Sequence, residues 1–238
     1  MASTIHEFSA ATISGAGASV FKVGSTVTVN VPVAFSTTNF LGAKKTYGLA
    51  VDTANNSSGW KQLGTWTVTQ PIPTADSVAP NSGIGTGQSF TFKYSDPAGS
   101  AFLTNVFGLF NASPTLPKSC FFQYNQPANV VYLYDDTGTT PVGSLAPGTP
   151  SSISNSQCTI SGAGLMVSSA GNQLSVTVPI TFNPSNIGFD GSKNIFGYAI
   201  DQAGRTTNGW TYLGGYTIQG PANALWVESV SPQFGNGA

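Results

Sequence analysis

The chain has 238 residues, enough for one large domain or two small ones. Only 7% of the residues are charged, and the net charge is -1. The sequence has no run of basic residues, which argues against a nucleic-acid-binding protein, because such proteins contact phosphates through clustered Lys and Arg. No apolar run approaches the roughly 20 residues of a spanning helix, so we expect no membrane insertion. The abundant Gly, Ser, Thr, Asn and Pro favour a β-rich, exported protein with many turns.

An internal repeat organises the chain. Thr12 returns as Thr159, 147 residues later, and Gly59 returns as Gly209, 150 residues later. The repeated segments are 12–17 with 159–164, 27–35 with 174–182, 47–52 with 196–201, and Gly59-Trp60 and Leu63-Gly64 with Gly209-Trp210 and Leu213-Gly214. A shorter echo relates residues 228–232 to residues 76–80, which suggests that a third unit begins there.

These repeats predict four regions. Residues 1–70 form the second half of a repeat, and residues 71–75 form a Pro-containing linker. Residues 76–219 form a complete repeat, and residues 220–238 hold a linker and the first strand of a following repeat. No apolar stretch resembling a signal peptide precedes Ile13, so we expect a mature fragment or an excised piece.

Alternating apolar and polar residues predict strands along the whole chain. In chain order the main ones are residues 27–35, 47–51, 66–68, 90–94, 106–110, 120–124, 130–134, 174–182, 196–200 and 216–218. Pro32 and Pro179 interrupt the two longest, which indicates an edge or a bulge at each. Turns with Asp ahead of Gly separate several of these segments, and no window has helical periodicity. Strands at about ten-residue spacing with such turns predict an antiparallel β-sandwich.

Two cysteines, Cys120 and Cys158, fit an oxidising compartment and can either pair or remain buried thiols. Residues 94–99, 155–158 and 198–204, with Gly209-Trp210 and Leu213-Gly214, resemble immunoglobulin-like repeats of large exported soil-bacterial proteins of the acidobacterial type. The resemblance covers nearly all of the chain. It implies immunoglobulin-like antiparallel β-sandwich repeats, one complete and one partial, with a Cys120–Cys158 disulfide and a secreted or cell-surface location. It implies no established activity.

Acidic residues are the first candidates for chemistry. Asp135 and Asp136 are the only adjacent pair, and Asp96 or Asp201 from neighbouring turns would add oxygen ligands for Ca²⁺. The same carboxylates would suit a glycosidase acid and base. The alternative is turn chemistry, since each precedes a Gly, and Asp201 repeats the position of Asp52.

The single histidine, His6, has no partner for a catalytic triad, and no His/Cys spacing suits zinc, so we expect it to be a solvated tail residue.

Aromatic residues are the second candidates. Tyr132, Tyr134 and Tyr212 are the tyrosines that we expect on an exposed, sugar-stacking face. Tyr212 replaces Gln62 of the first copy, so it has no repeated structural role. The alternative is core filling, which the repetition of Trp210 favours for that residue.

The incomplete first repeat predicts a partner. Residues 12–68 would expose an apolar face, and each large aliphatic residue that is buried contributes about 1.5–3 kcal/mol. Unpaired strand edges add a tendency to associate. We therefore expect a homo-oligomer through this unit, or acceptance of the strand around residues 227–230. The predicted function is an extracellular structural or adhesion module without catalysis, with polysaccharide binding and a Ca²⁺-dependent hydrolase as alternatives.

Overall fold

The computed structural model describes residues 10–37, 40–183 and 189–220. Nearly all regular structure in them is β-strand, which confirms the predicted all-β class. The one helical element among these residues is a short 3-10 turn, Ser100–Phe102. None of the helical structure described is long and apolar enough to cross a membrane. The chain divides into two compact units, residues 1–71 (unit 1) and residues 72–238 (unit 2).

Unit 1 consists of three antiparallel strand pairs. Strand β1 pairs with β4, β2 with β3, and β5 with β6. The strands are β1 (Ala11–Ile13), β2 (Ser19–Val23), β3 (Thr26–Asn30), β4 (Val33–Phe35), β5 (Gly42–Gly48) and β6 (Lys61–Val68). The predicted strand over residues 27–35 is therefore two strands, with Pro32 in the gap between them.

Unit 2 contains two large sheets. Its strands are β7 (Thr74–Ala79), β8 (Ile84–Gly85), β9 (Gly87–Ser95), β10 (Leu103–Asn111), β11 (Cys120–Asn125), β12 (Val130–Tyr134), β13 (Pro141–Leu145), β14 (Ser152–Ser154), β15 (Cys158–Ser161), β16 (Met166–Ala170), β17 (Gln173–Phe182), β18 (Gly191–Asp201) and β19 (Thr211–Ile218). The seven-stranded sheet has the order β13-β12-β11-β10-β18-β19-β8. The six-stranded sheet has the order β14-β15-β17-β9-β7, and β16 also pairs with β17. Among the strands that the structure describes, β8 alone pairs in parallel, with β19.

The two sheets of unit 2 enclose one aromatic core. Phe92 of the six-stranded sheet packs edge-on against Phe110 and Phe122 of the seven-stranded sheet, with ring centroids 6.1 and 5.2 Å apart. The Cys120–Cys158 disulfide joins β11 to β15 and so links the two sheets. The predicted antiparallel β-sandwich and the disulfide are both confirmed, and the alternative of two free thiols is wrong.

Pro179 shows how a proline fits a central strand. Strand β17 pairs with β16 as far as Thr177 and with β15 from Ile180 onward. Pro179 lies between these partners, so its missing N–H removes no ladder bond on that side. The expected edge or bulge is instead an exchange of neighbouring strands.

The sequence repeat is also a repeat of strand register. Gly42 opposes Val68 in unit 1, as Gly191 opposes Ile218 in unit 2. Both hairpins carry one register shift, after Thr46 in β5–β6 and after its counterpart in β18–β19. The pairs β1–β4 and β2–β3 likewise match β15–β17 and β16–β17 when 147 is added to each residue number.

Candidate functional site

The seven-stranded sheet of unit 2 carries a second apolar cluster on the face turned away from the sandwich core. Successive side chains of a strand point to opposite faces, so the residues between the core positions meet here. In β10, Val106 and Phe110 enter the main core, whereas Phe107 and Leu109 belong to this second cluster. We call this surface the aromatic face; its aromatic members are Phe107, Phe121, Tyr132, Tyr134, Phe196, Tyr198, Trp210 and Tyr212.

The aromatic face is built from two rows of cross-strand neighbours. The first row crosses β11, β10, β18 and β19 through Phe121, Leu109, Phe196 and Tyr212. The ring of Tyr134 on β12 extends this row, because it stacks on Phe121 with centroids 4.5 Å apart. With strands about 4.8 Å apart, a row across five strands is roughly 19 Å long.

The second row crosses β12, β11, β10 and β18 through Tyr132, Gln123, Phe107 and Tyr198. Trp210 lies against the middle of the face, with its ring 5.5 Å from that of Tyr198 and 6.5 Å from that of Phe107. The aromatic face is therefore a continuous surface of several strands rather than a set of isolated rings.

All three tyrosines predicted from the sequence lie on this face, at different depths. Tyr212 is 61% exposed and touches only the edge of the face through Phe196. Tyr134 is half-buried, and its hydroxyl donates a hydrogen bond to Gln123 Oε1 at 2.5 Å. Burial raises the pKa of Tyr134, and the neighbouring Tyr132 raises it further. Tyr134 is thus held as a neutral hydrogen-bond donor, while Tyr212 is open to solvent.

Sequence reasoning missed Phe107, Phe121 and Tyr198 as members of this face. Residues 106–110 and 120–122 are continuously apolar, and such a run indicates a strand whose two faces are both covered. This continuous apolar run is the sequence signal that identifies Phe107 and Phe121 as residues of a covered face. Trp210, expected in the core, is partly buried on the aromatic face instead.

The predicted acidic pair lies on a separate surface of unit 2. Asp135 and Asp136 border an open cleft of about 520 Å³, whose other lining residues are Thr137, Val142, Ser154, Asn155 and Ser156. Asp136 accepts hydrogen bonds from both the amide and the hydroxyl of Ser156. Asp135 Oδ1 accepts from the Thr137 hydroxyl at 2.7 Å and from the Thr140 amide at 3.3 Å. The Thr137 hydroxyl is the main cause that lowers the pKa of Asp135.

Asn155 connects the strand ends that border this cleft. Its Nδ2 donates to the carbonyl oxygens of Ser119 and Tyr134, and its Oδ1 accepts from the amides of Gln157 and Cys158. These bonds join the strand ends beside the disulfide to one another. Asp136 is therefore bound from a different strand connection, which is a tertiary contact rather than a contact within its own turn.

Asp96 and Asp201 do not join the acidic pair. The buried Asp96 accepts from the Ala98 amide at 2.7 Å within its own turn. The buried Asp201 accepts from the amides of Ala203 and Arg205 and forms an ion pair with the Arg205 guanidinium.

Across residues 10–37, 40–183 and 189–220, no group of three or more His, Cys, Asp or Glu is arranged to hold a metal ion. The structure does not gather Asp96, Asp135, Asp136 and Asp201 into such a group, and a Ca²⁺ site on these carboxylates stays a prediction. Asp96, Asp135 and Asp201 accept hydrogen bonds within their own turns. Asp136 instead accepts from Ser156, a residue 20 positions along the chain. His6 and the strand predicted around residues 227–230 lie outside the described residues.

No protein-family model matches the chain, and no curated protein is significantly similar to it. The geometry of the aromatic face, of the acidic cleft and of the repeat therefore carries the functional argument.

Proposed function

We propose that the chain is a non-catalytic structural or adhesion module of an extracellular repeat protein of the immunoglobulin-like type. The observation that carries this proposal is that an aspartate makes the same hydrogen bonds in the equivalent turn of each unit. Asp52 accepts the amides of Ala54 and Asn56, as Asp201 accepts those of Ala203 and Arg205. A carboxylate that appears twice in the same turn, with the same bonds, has a structural role in each copy.

The disulfide supports the extracellular part of the proposal. It joins the two sheets of unit 2, and such bonds persist in oxidising compartments. The repeated strand register also supports a modular array, because each repeat of such an array reuses one folding pattern.

A second function, polysaccharide binding, is favoured by the aromatic face. Tyr212 is exposed, and Tyr132 and Tyr134 lie on the same side of the same sheet. Flat aromatic rings with a polar edge suit a sugar, since the ring stacks on C–H groups while the hydroxyl bonds to the sugar oxygens. If the aromatic face binds a polysaccharide, that binding would itself be the means of adhesion, so the two proposed functions are compatible.

The test is a thermal-unfolding and affinity-electrophoresis panel with soluble polysaccharides, Ca²⁺ and a chelator. A ligand at 100 times its dissociation constant adds about 2.7 kcal/mol of stability. We expect a glycan that shifts the wild type to bind Tyr212→Gln at least about tenfold more weakly. This variant introduces the residue that unit 1 carries at that position, Gln62. The matched control is Tyr47→Gln on unit 1, which is similarly exposed but lies off the aromatic face.

The same panel separates binding from hydrolysis. A structural or binding module releases no reducing sugar from any polysaccharide, with or without Ca²⁺. Release of sugar that Asp136→Asn abolishes would contradict the proposal and restore the hydrolase alternative.

A further inference from the structure

Unit 1 exposes the side chains whose counterparts unit 2 buries. Val29 is 58% exposed, whereas its counterpart Val176 is 0% exposed. Trp66 is 60% exposed, whereas its counterpart Tyr216 is 4% exposed. Val29 also borders a cleft of about 530 Å³ within unit 1, together with Val27, Leu49 and Leu63. A continuous exposed apolar surface, at positions that are buried in the equivalent unit, indicates an interaction site.

Unit 2 shows what covers this surface. Strand β9 pairs with β17 along its whole length and inserts the fully buried Phe90, Phe92 and Tyr94. Strand β10 then pairs with β18 in the opposite sheet. Residues 87–111 thus add one strand to each of the two sheets and fill the space between them.

The corresponding edges of unit 1 are open. Its strands β3 and β4 match β17, and β5 matches β18. Among the residues that the structure describes, β3 and β4 each pair with one strand only, and so does β5. An open edge with an apolar face beside it is a ready acceptor for an added strand.

We propose that unit 1 binds a first-half segment with the pattern of residues 87–111. The segment places one strand beside β3–β4 and the next beside β5, as β9 and β10 do in unit 2. This inference rests on the repeated register of the two units and is independent of the proposed adhesion role.

Apolar burial and strand pairing, rather than charge, would hold such a segment. Residues 87–111 carry one Lys and one Asp, so the segment is neutral, whereas the described residues of unit 1 carry four Lys against one Asp. In unit 2 the same segment contributes the fully buried Phe90, Phe92 and Tyr94.

Exchange of first halves between identical copies cannot cover the apolar faces of both units. The described residues of each chain contain two second halves, 10–71 and 146–220, and one first half, 72–145. A first half that leaves unit 2 to cover unit 1 of another copy uncovers its own second half. The homo-oligomer expected from the sequence therefore becomes the competing outcome of the test.

The register of the complex follows from unit 2. Phe92 opposes Val176 there, and subtracting 147 places the equivalent side chain opposite Val29. In the same way, the counterpart of Tyr94 lies opposite Val27. Directly opposed residues of antiparallel strands have Cα atoms about 4.5–5.5 Å apart, which is within reach of a disulfide.

The experiment uses the full chain and a synthetic peptide with the sequence of residues 87–111. Val29→Cys is mixed with the peptide carrying Phe92→Cys under mild oxidation, and the cross-linked product is quantified by mass spectrometry. The native cysteines do not compete, because they are joined to each other. The control peptide carries Lys93→Cys, which points to the opposite side of the strand.

The matched control in the protein is Val176→Cys, the same repeat position with its neighbouring strand already in place. We expect at least tenfold more cross-link for Val29→Cys with the Phe92→Cys peptide than for either control. We also expect the peptide to shift the Trp fluorescence of the wild type to shorter wavelength, and Trp66→Phe to lose most of that shift.

Cross-linking no greater than in the controls overturns the proposal. So does a dimer by light scattering in which Val29→Cys links to its own copy and the peptide is excluded, because a second copy then covers the face. Neither result bears on glycan binding at the aromatic face, so failure here is distinguishable from failure of the proposed function.

Discussion

Units 1 and 2 contain the same hairpin in different surroundings. In unit 1, Lys44 donates to the carbonyl oxygen of Leu41 at 2.8 Å and lies over the ring of Phe40. In unit 2, Lys193 donates to the carbonyl oxygen of Asp190 at 2.7 Å and lies over an aromatic ring in the same way. Hairpin register, bulge and even a lysine contact are therefore set by local sequence.

The two units differ in how far the equivalent side chains are buried. Burial lowers the pKa of Lys193 in unit 2, and the opposing effect of Asp190 is smaller. The aliphatic residues of β3 remain largely exposed, whereas those of β17 are buried by β9. Local pattern specifies the strands, but the core requires the other half of the sandwich.

Removal of the disulfide should have the largest effect and should be confined to unit 2. Cys120→Ala with Cys158→Ala opens a connection between residues 38 positions apart in the sequence. The chain-entropy model gives a loss of about 4 kcal/mol in the free energy of unfolding. Unit 1 has Ala11 where unit 2 has Cys158, so its hydrogen exchange should not change. Equal loss of protection in both units would show that they unfold together.

A matched truncation tests the difference in burial directly. Leu174→Ala deletes a side chain that is 1% exposed and should lower the free energy of unfolding by about 3 kcal/mol. Val27→Ala changes the equivalent exposed position and should cost less than about 0.5 kcal/mol. Denaturant unfolding of both variants gives the comparison. A cost above about 2 kcal/mol for Val27→Ala would mean that the face of unit 1 is covered in solution.

The same comparison shows what the sequence could reveal. Period-two alternation predicted the strands, and the repeated segments predicted two related regions. The aromatic face was only partly predicted, since Tyr132, Tyr134 and Tyr212 were expected on an exposed face but Phe107 and Tyr198 were not identified as members of it. Sheet order decides whether such a face is covered, and strand order is a long-range property.

The hydrogen-bond partners of the acidic residues could not be predicted from the sequence. A pair such as Asp135-Asp136 looks like a metal site in sequence, because residue type alone does not show which amides point at a carboxylate. The structure places the amide and hydroxyl of Ser156 on Asp136, from a strand connection 20 positions away. Only the tertiary fold could reveal that this carboxylate was already engaged.

The acidic turn shared by the units should differ moderately in energy. Asp201→Ala removes a buried acceptor of two amides and leaves the Arg205 guanidinium without its partner, so we expect a loss of about 2 kcal/mol. Asp52→Ala removes an equivalent but exposed acceptor and should cost clearly less than Asp201→Ala. Denaturant unfolding measures both. A larger loss for Asp52→Ala would contradict the assignment of burial as the cause.

The smallest expected effect is a change in the pKa of two aspartates. Titration of these residues tests whether the turn of unit 1 forms without a buried core around it. The Asn56 side chain lowers the pKa of the exposed Asp52, and the Thr137 hydroxyl lowers the pKa of the half-buried Asp135. A lowered carboxyl pKa contributes stability above the ordinary value of 3.8, and that contribution is lost as the pH falls through the lowered pKa.

Carboxyl ¹³C NMR should therefore give midpoints below 3.8 for both residues, and Asn56→Ala and Thr137→Val should each return their own aspartate toward that value. If Asp135 titrates with a lowered pKa and Asp52 does not, the hydrogen bonds of the unit 1 turn depend on a covering segment such as residues 87–111 provide in unit 2. Adding the peptide of residues 87–111 should then lower the midpoint of Asp52. If both titrate low without it, local sequence alone holds the turn, and the partner segment supplies burial rather than conformation.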